Sequence, residues 1–575
     1  MKVSGLQAKS DFNRNTGHTM KELLSLLRAR PGLTAELLVA SLLINVLGLT
    51  PPLFFILVFN RYVNSGFDGT LITLTTGMVL AVALKFVFGL ARNRLAEEVS
   101  GERDPLRMVQ AFQMLLRARV ASLARQSRTQ VMEAVQAPQV GQSACSPQNI
   151  AAVLDAPFAV LSVILVFMLS AQLGLVTVAA LAITTILSVL GLRGSRKAMR
   201  EIGESVAAGR QMATQVLQDP DTVRAFGCRN FLLGAWNEHM RCLHALRRTA
   251  FRAEGLSQGG LEATTLFTRT AIIALGAHQV VQGELTVGAL IGASFLAGMP
   301  ISIFSRFFRA SSALNAAQEQ TDKLRQLVAL PLEADKGLAV DGFKGRLEFA
   351  DLAFAWPGAP APLFESLSLE LEAGGFLAVS GRNGTGKTTL ARLLAGLLDP
   401  GRGQIMIDGL DLRQVAPEWW RRQLVYLPQE PSFIRATVLE NIRLAGPDMN
   451  DEDLARVIAQ AGLKPFMNAH PQGPEMVVEE GGRTLSPGIR RRLALARALA
   501  TDGQMVVLDD PTEALDAEGC KTVIEVIRDL AARKKTLVVF SNDVRILSMA
   551  GMYLDLNAKP VPRITSPGQG QEGKP

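Results

Sequence analysis

The segment GRNGTGKTT, Gly381 to Thr389, has the spacing of a phosphate-binding loop. Gly381, Gly384 and Gly386, with Asn383 between them, let main-chain N–H groups turn toward an anion. Lys387 is placed to reach β- and γ-phosphate oxygens, the Thr388 hydroxyl suits Mg²⁺, and Thr389 completes the loop. A second segment, QMVVLDDPTEALD, places the carboxylates Asp509 and Asp510 after the apolar run Met505 to Leu508. At the end of a buried strand, Asp509 can bind Mg²⁺ directly or through water, and Asp510 can act as general base toward an attacking water. Two carboxylates after an apolar run are a weak signal alone. Downstream of a phosphate loop they become a strong one. Together these residues point to cleavage of a nucleoside triphosphate, with Mg²⁺ as a bound ion.

Such a loop works only between a strand and a helix, and the sequence predicts a strand over Phe376 to Ser380 and a helix over Leu390 to Leu398. Upstream, GRLEFADLAFAW alternates like a strand, and Met505 to Leu508 reads as a buried parallel strand. The expectation is an α/β P-loop NTPase domain over 345–558.

The first 310 residues have a different character. The chain has 575 residues, 48% hydrophobic and 19% charged, which is too long for one core. Its apolar excess lies in runs long enough to cross a bilayer. Leu38 to Asn60 has no charge and carries Pro51-Pro52, read as a membrane kink. Thr70 to Ala91 holds Lys85 near one end, where it can snorkel. As one helix Pro157 to Leu192 would be about 54 Å long against a core of about 30 Å, so it reads as two helices turning near Ser170 to Gly174. Leu261 to Gly283 is a weaker span holding Arg269, and Leu285 to Ser305 is a clean one rich in small residues. That predicts six spans.

The formal charge of +8 is mostly topology. Arginine gathers in the long connectors Arg92 to Ala156 and Arg193 to Gly260, and lysine and arginine in the N-terminal segment. The short loops between paired spans are nearly uncharged. This asymmetry places both termini in the cytoplasm and removes the nucleic-acid reading. The connectors are too long for simple loops, so they are expected to extend the membrane helices, with Gln215 to Cys228 as a docking surface. Cys145, Cys228, Cys242 and Cys520 have neither metal-ligand nor disulfide-framework spacing, and no signal peptide is evident.

Six spans, a P-loop domain and the element Leu485-Ser486-Pro487-Gly488-Ile489 before the Asp509 strand resemble an ABC exporter half-transporter. The implied fold is an α-helical six-span transmembrane domain fused to the α/β nucleotide-binding domain. The implied segments are 1–32 cytoplasmic, 33–310 transmembrane with its connectors, 311–344 linker, 345–558 ATP-binding and 559–575 disordered tail. The resemblance implies that Trp356 stacks on adenine and that Gln429 senses Mg²⁺ and the membrane domain. It also implies that Ser486 and Gly488 contact nucleotide held by a second subunit, and that Asp516 lies in a dimer-contacting loop. In the membrane half, LDAPFAVLSVILVFML and neighbouring phrases resemble the type I secretion family. That implies a multi-pass inner-membrane protein exporting a protein substrate, with a periplasmic adaptor, an outer-membrane channel and membrane lipids as partners. Met1 to Gly32 is too short for the N-terminal peptidase domain that some members carry.

Three positions depart from the family pattern. Asp510 stands where a glutamate is expected and is one methylene shorter, so its oxygen retreats by roughly 1.5 Å. Asn542 stands where the switch histidine is expected and can donate to a γ-phosphate oxygen without titrating. Pro487 and Ile489 interrupt the signature. With Ser486 as a helix cap, Pro487 falls at the first helical position, where it is favoured. Gly488 and Ile489 then keep free N–H groups for phosphate. Arg490 to Arg492 reads as a solvated or phosphate-steering face. The departures leave open a slow homodimeric ATPase and a degenerate half of a heterodimer; because fold does not fix cargo, a lipid or small-molecule exporter and a regulatory, non-transporting nucleotide sensor stand as further alternatives.

Overall fold

The computed structural model describes Leu23, Leu27, Arg28 and residues 30–565, apart from 102–103, 335–336, 341 and 357. It divides into two compact units: Met1–Leu116 with Gln126–Leu330, and Arg117–Arg125 with Pro331–Pro575. Most of the expected N-terminal segment 1–32 and the end of the expected tail, 566–575, lie outside the described residues.

The first unit is helical. Its long helices are α1 (Pro31–Leu47), α2 (Thr50–Leu57), α3 (Asp68–Gly101), α4 (Pro147–Leu169), α5 (Ala171–Gln218), α6 (Arg229–Val281) and α7 (Val287–Ala329). Pro51 and Pro52 sit in the first turn of α2, where no intrahelical partner is lost, and the chain breaks just before them at Gly48 and Leu49. The single residue Ser170 separates α4 from α5, so the long apolar run becomes two helices. Five helical segments among the described residues are long and apolar enough to cross a membrane: α1 with α2, α3, α4, α5 and α7. Helix α6 is not one of them; its span is the weaker one, where Arg269 lies over the Phe295 ring at 5.9 Å. Phe295 in turn stacks on Phe55 at 4.8 Å. Outward-facing Val79, Leu80, Phe86 and Val87 on α3 are exposed, as lipid-facing residues would be.

Two features of this unit went unread in the sequence. Gly288 and Gly292 on α7 have no room for a Cβ, because Asn60 and Ile56 lie 2.5 Å and 2.4 Å from where it would be. Small residues thus let α7 approach the α2 segment closely. Asp155 on α4 is 2% exposed and accepts bonds from Arg92 on α3 at 3.0 Å and from Asn45 on α1 at 2.8 Å. Arg306 on α7 lies 3.9 Å away. One buried carboxylate therefore joins four helices.

Two expected boundaries are corrected. Residues 311–329, assigned to the linker, continue α7 to Ala329, because Leu314, Ala317, Thr321, Leu324, Leu327 and Val328 recur at helical spacing and are buried. Residues 559–575, assigned to a disordered tail, include the strand Arg563–Thr565, which pairs antiparallel with Met552–Asp555. A third difference concerns Arg117–Arg125, expected within the membrane domain. It belongs to the second unit, where Ala118 bridges to Leu332 and the Arg119 N–H donates to the Pro331 carbonyl at 3.0 Å. The Glu333 N–H returns to the Arg117 carbonyl at 2.8 Å, and Arg119 pairs with Asp399.

In that unit β1 (Leu347–Phe354), β2 (Phe364–Leu371), β4 (Arg402–Ile407) and β5 (Leu410–Asp411) form an antiparallel sheet, ordered β2-β1-β4-β5. A second sheet is ordered β10-β9-β3-β8-β7-β6. Its strands are β3 (Phe376–Ser380), β6 (Leu424–Leu427), β7 (Met505–Asp509), β8 (Thr536–Phe540), β9 (Met552–Asp555) and β10 (Arg563–Thr565). Strands β9, β3, β8, β7 and β6 run parallel, and β3, β7 and β8 are buried throughout. Their carboxyl ends gather at one edge, where open α/β sheets bind ligands. Helix α8 (Lys387–Leu394) follows β3, and α9 (Pro487–Leu499) packs in a cluster with β6 residues Val425 and Leu427.

Candidate nucleotide site

The loop after β3 closes tightly. Gly386 caps α8 with φ 110°, so α8 begins at Lys387, earlier than expected. At Gly381 a Cβ would lie 2.4 Å from the Thr385 hydroxyl oxygen. Asn383 and Gly384 are exposed and Thr389 is buried. Lys387 is buried, its Nζ donating to the Gly381 carbonyl at 2.7 Å and lying 3.7 Å from Asp510 Oδ2.

Asn542, just past β8, holds the same glycine from both sides. Its Oδ1 accepts from the Gly381 N–H at 3.1 Å and its Nδ2 donates to the Gly381 carbonyl at 3.0 Å. The amide expected to reach a phosphate is thus engaged in bracing the loop.

Past β6, Gln429 links two further groups. The Thr388 hydroxyl donates to Gln429 Oε1 at 2.9 Å, and Gln429 Nε2 donates to Glu513 Oε2 at 3.2 Å. Asp509 ends β7, wholly buried, and neither carboxylate oxygen has a hydrogen-bond partner. Burial raises its pKa to about 6, helped by Asp510 alongside and opposed by the neighbouring Thr388 hydroxyl and the charges of Arg491 and Lys387. A buried carboxylate without a partner is costly, and the oxygens of Asp509, Thr388 and Gln429 make a hard donor set that fits Mg²⁺. Among the described residues no group of three or more His, Cys, Asp or Glu could hold a metal.

Asp510 follows with φ 44°, its N–H donating to the Phe540 carbonyl at 2.8 Å. Burial raises its pKa, while Lys387 opposes the shift. Trp356 lies past β1, 36% exposed, with its ring edge-on to Phe354 at 5.3 Å, which leaves an aromatic surface free for stacking.

Ser486 caps α9 as expected, with Pro487 at the first helical position. Its hydroxyl accepts from the Ile489 N–H at 3.3 Å, so that N–H, expected to be free, is used by the cap. The Gly488 N–H precedes any intrahelical acceptor. The Ile489 side chain packs against the core. Arg490 to Arg492 do not form a solvated face. Arg491 is 3% exposed, and Arg492 donates to Asp516 Oδ1 at 3.1 Å and to the Gly462 carbonyl at 3.0 Å. Asp516 also caps the helix Ala517–Ala532 through the Gly519 N–H. Cys228, Cys242 and Cys520 are free thiols.

The structure therefore brings together the loop 381–389, Gln429, Asp509, Asp510 and Asn542 in one unit. The sequence left Glu513 unread and assigned Arg491 to the wrong surroundings, since the partners of both are distant in the chain. The only signal was their charge inside otherwise apolar or motif-bearing segments.

Residues 35–304 match the ABC transporter transmembrane region, and residues 364–513 match the ABC transporter family of nucleotide-binding domains. The chain belongs to the ABC transporter family. This ABC transporter is 28% identical to the type I secretion system ATP-binding protein PrsD of Rhizobium meliloti (strain 1021), over 90% of this chain and 89% of that protein. It is 26% identical to the alpha-hemolysin translocation ATP-binding protein HlyB of Escherichia coli O157:H7, over 91% of this chain and 76% of that one. The structure of a bacterial Atm1-family ABC exporter with ATP bound superposes with a TM-score of 0.78 at 19% identity, covering 92% of this chain and 94% of that one, and establishes the shared fold. The site of this ABC transporter is accordingly that of an ATPase.

Proposed function

We propose that this chain is the ATP-driven membrane component of a type I protein secretion system, exporting an unfolded protein across a bacterial inner membrane. Its similarity to a type I secretion ATP-binding protein along nearly the whole of both chains carries this reading. The arginine-rich connectors support cytoplasmic termini and a cytoplasmic nucleotide domain. A periplasmic adaptor and an outer-membrane channel complete the route.

The working unit is a dimer of this chain. Each shared site takes Trp356, the loop 381–389, Gln429, Asp509, Asp510 and Asn542 from one subunit, and Ser486 and Gly488 from the other, with Asp516 at the contact. Trp356 stacks on adenine. Lys387 leaves the Gly381 carbonyl and Asp510 for the γ-phosphate. Thr388, Gln429 and Asp509 would hold Mg²⁺, which would supply positive charge to offset that of the phosphates. Asp510 takes a proton from the attacking water, whose oxygen bonds to the γ-phosphorus as the bond to the ADP oxygen breaks. The Gly488 N–H at the positive helix end faces that γ-phosphate. ATP closes the dimer, and hydrolysis reopens it. Asp510 still presents a carboxylate near Lys387, which supports a competent if slow site.

The purified chain should hydrolyse ATP and lose at least about 10²-fold of that activity in Lys387→Ala, and a deletion strain should lose one secreted protein. Retained ATP binding without hydrolysis would instead mark the degenerate half of a heterodimer. Intact protein secretion with altered lipid export would overturn the cargo class.

A further inference from the structure

Arg491 lies on α9, one turn past the Ser486 cap, and its side chain is almost wholly buried. Its Nη1 donates to the Pro428 carbonyl at 2.9 Å and to the Gln429 carbonyl. Its Nη2 donates to the Asp509 carbonyl at 2.9 Å and to the Asp510 carbonyl. All four acceptors are main-chain oxygens, two after β6 and two at the end of β7. The guanidinium is therefore organised as a clamp on backbone, using the fixed fork of donors that lysine lacks. Burial lowers its pKa, opposed by the field of Glu513, Asp509 and Asp510.

Asp510 is where such a clamp matters most. A positive φ on a non-glycine residue is strained and persists only when its surroundings impose it. Here φ is 44° and the next residue is Pro511, which further restricts the backbone. The N–H is fixed by the Phe540 carbonyl, and the carbonyl by Arg491 and by the Glu513 N–H at 3.1 Å. That conformation turns the Asp510 carboxylate toward Lys387.

We propose that Arg491 is a positioning residue for ATP hydrolysis: by holding the carbonyls of Gln429 and Asp510 with one guanidinium, it fixes the Asp510 carboxylate relative to Gln429 and makes both follow helix α9. The proposal rests on the ATPase reading, which the loss of turnover in Lys387→Ala tests separately. In the full-length chain in nanodiscs, Arg491→Lys should lower kcat about tenfold or more, since a displacement of about 1 Å can cost up to 10²-fold. KM and the Kd for the fluorescent analogue MANT-ATP should stay within about twofold. Arg491→Met should lose more, and Arg491→Lys should cost nothing further in an Asp510→Asn background. Hydrogen exchange of the nucleotide-free Arg491→Lys chain should quicken in peptides covering Gln429 and Asp510, and not in the loop 381–389.

Losses that multiply between Arg491→Lys and Asp510→Asn would overturn the proposal. So would a Kd that weakens in step with kcat, or unchanged exchange at both segments. If Arg491→Met does not fold, Arg491→Lys, which keeps the charge, decides. If wild-type turnover is too slow to measure, the exchange result decides.

Discussion

Asp510 and Asp509 are adjacent carboxylates with opposite problems. Asp510 has partners on its backbone but a short side chain, so lengthening it should bring its oxygen nearer the attacking water. Asp510→Glu is expected to raise kcat about three- to tenfold, and Asp510→Asn to lower it by about 10²-fold or more, read by steady-state ATP hydrolysis. Asp509 has a buried charge that its neighbours Thr388, Arg491 and Lys387 offset only in part. Burial raises its pKa from 3.8 to about 6, so the folded chain binds this proton more tightly than the unfolded chain does. Stability from this group is therefore lost as pH rises through that window, and the deficit is complete above about 6. In Mg²⁺-free, nucleotide-free buffer at pH 7.5, Asp509→Asn should stabilise the nucleotide unit by about 1–3 kcal/mol. The gain should fade below pH 5, and the thermal shift given by Mg-ATP should disappear. The loop residues and Asp509 were legible in the sequence because their chemistry needs fixed local spacing. Arg491 and Glu513 were not, since their meaning comes from carbonyls and an amide brought close only by the sheet.

At the scale of elements, apolar runs located the membrane helices but not their ends. Helix α7 continues well past its clean span because a narrower buried stripe takes over from an all-round apolar surface. The α4–α5 break was legible from length alone, since no single helix fits a bilayer at that length. The Asp155 knot was not, because its four members lie on four different helices. Breaking it should be costly: Asp155→Asn leaves Arg92 buried without its counter-charge. A loss of about 3–5 kcal/mol is expected, with most of it recovered in Asp155→Leu/Arg92→Met. Thermal melting of the detergent-purified chain would show this, and an Asp155→Asn chain as stable as the wild type would refute it.

For the whole molecule, composite sites predict complementation. Lys387→Ala and Ser486→Arg should each be inactive alone. Co-expressed, they should regain roughly a quarter of the activity, because half of randomly paired dimers are mixed and each mixed dimer has one intact site of two. Recovery absent from the isolated mixed dimer would mean that each site is built within one chain. The order of the domains was plain from the sequence, whereas the interleaving of Arg117–Arg125 with the second unit was not, since nothing in its composition marks it. That interleaving bears on biogenesis. Arg119 meets Leu332 across a separation of 213 residues. The second unit can finish only around a segment made far earlier, with six helices synthesised in between. Completion of the catalytic unit thus depends on a segment that must stay accessible until the later chain is made.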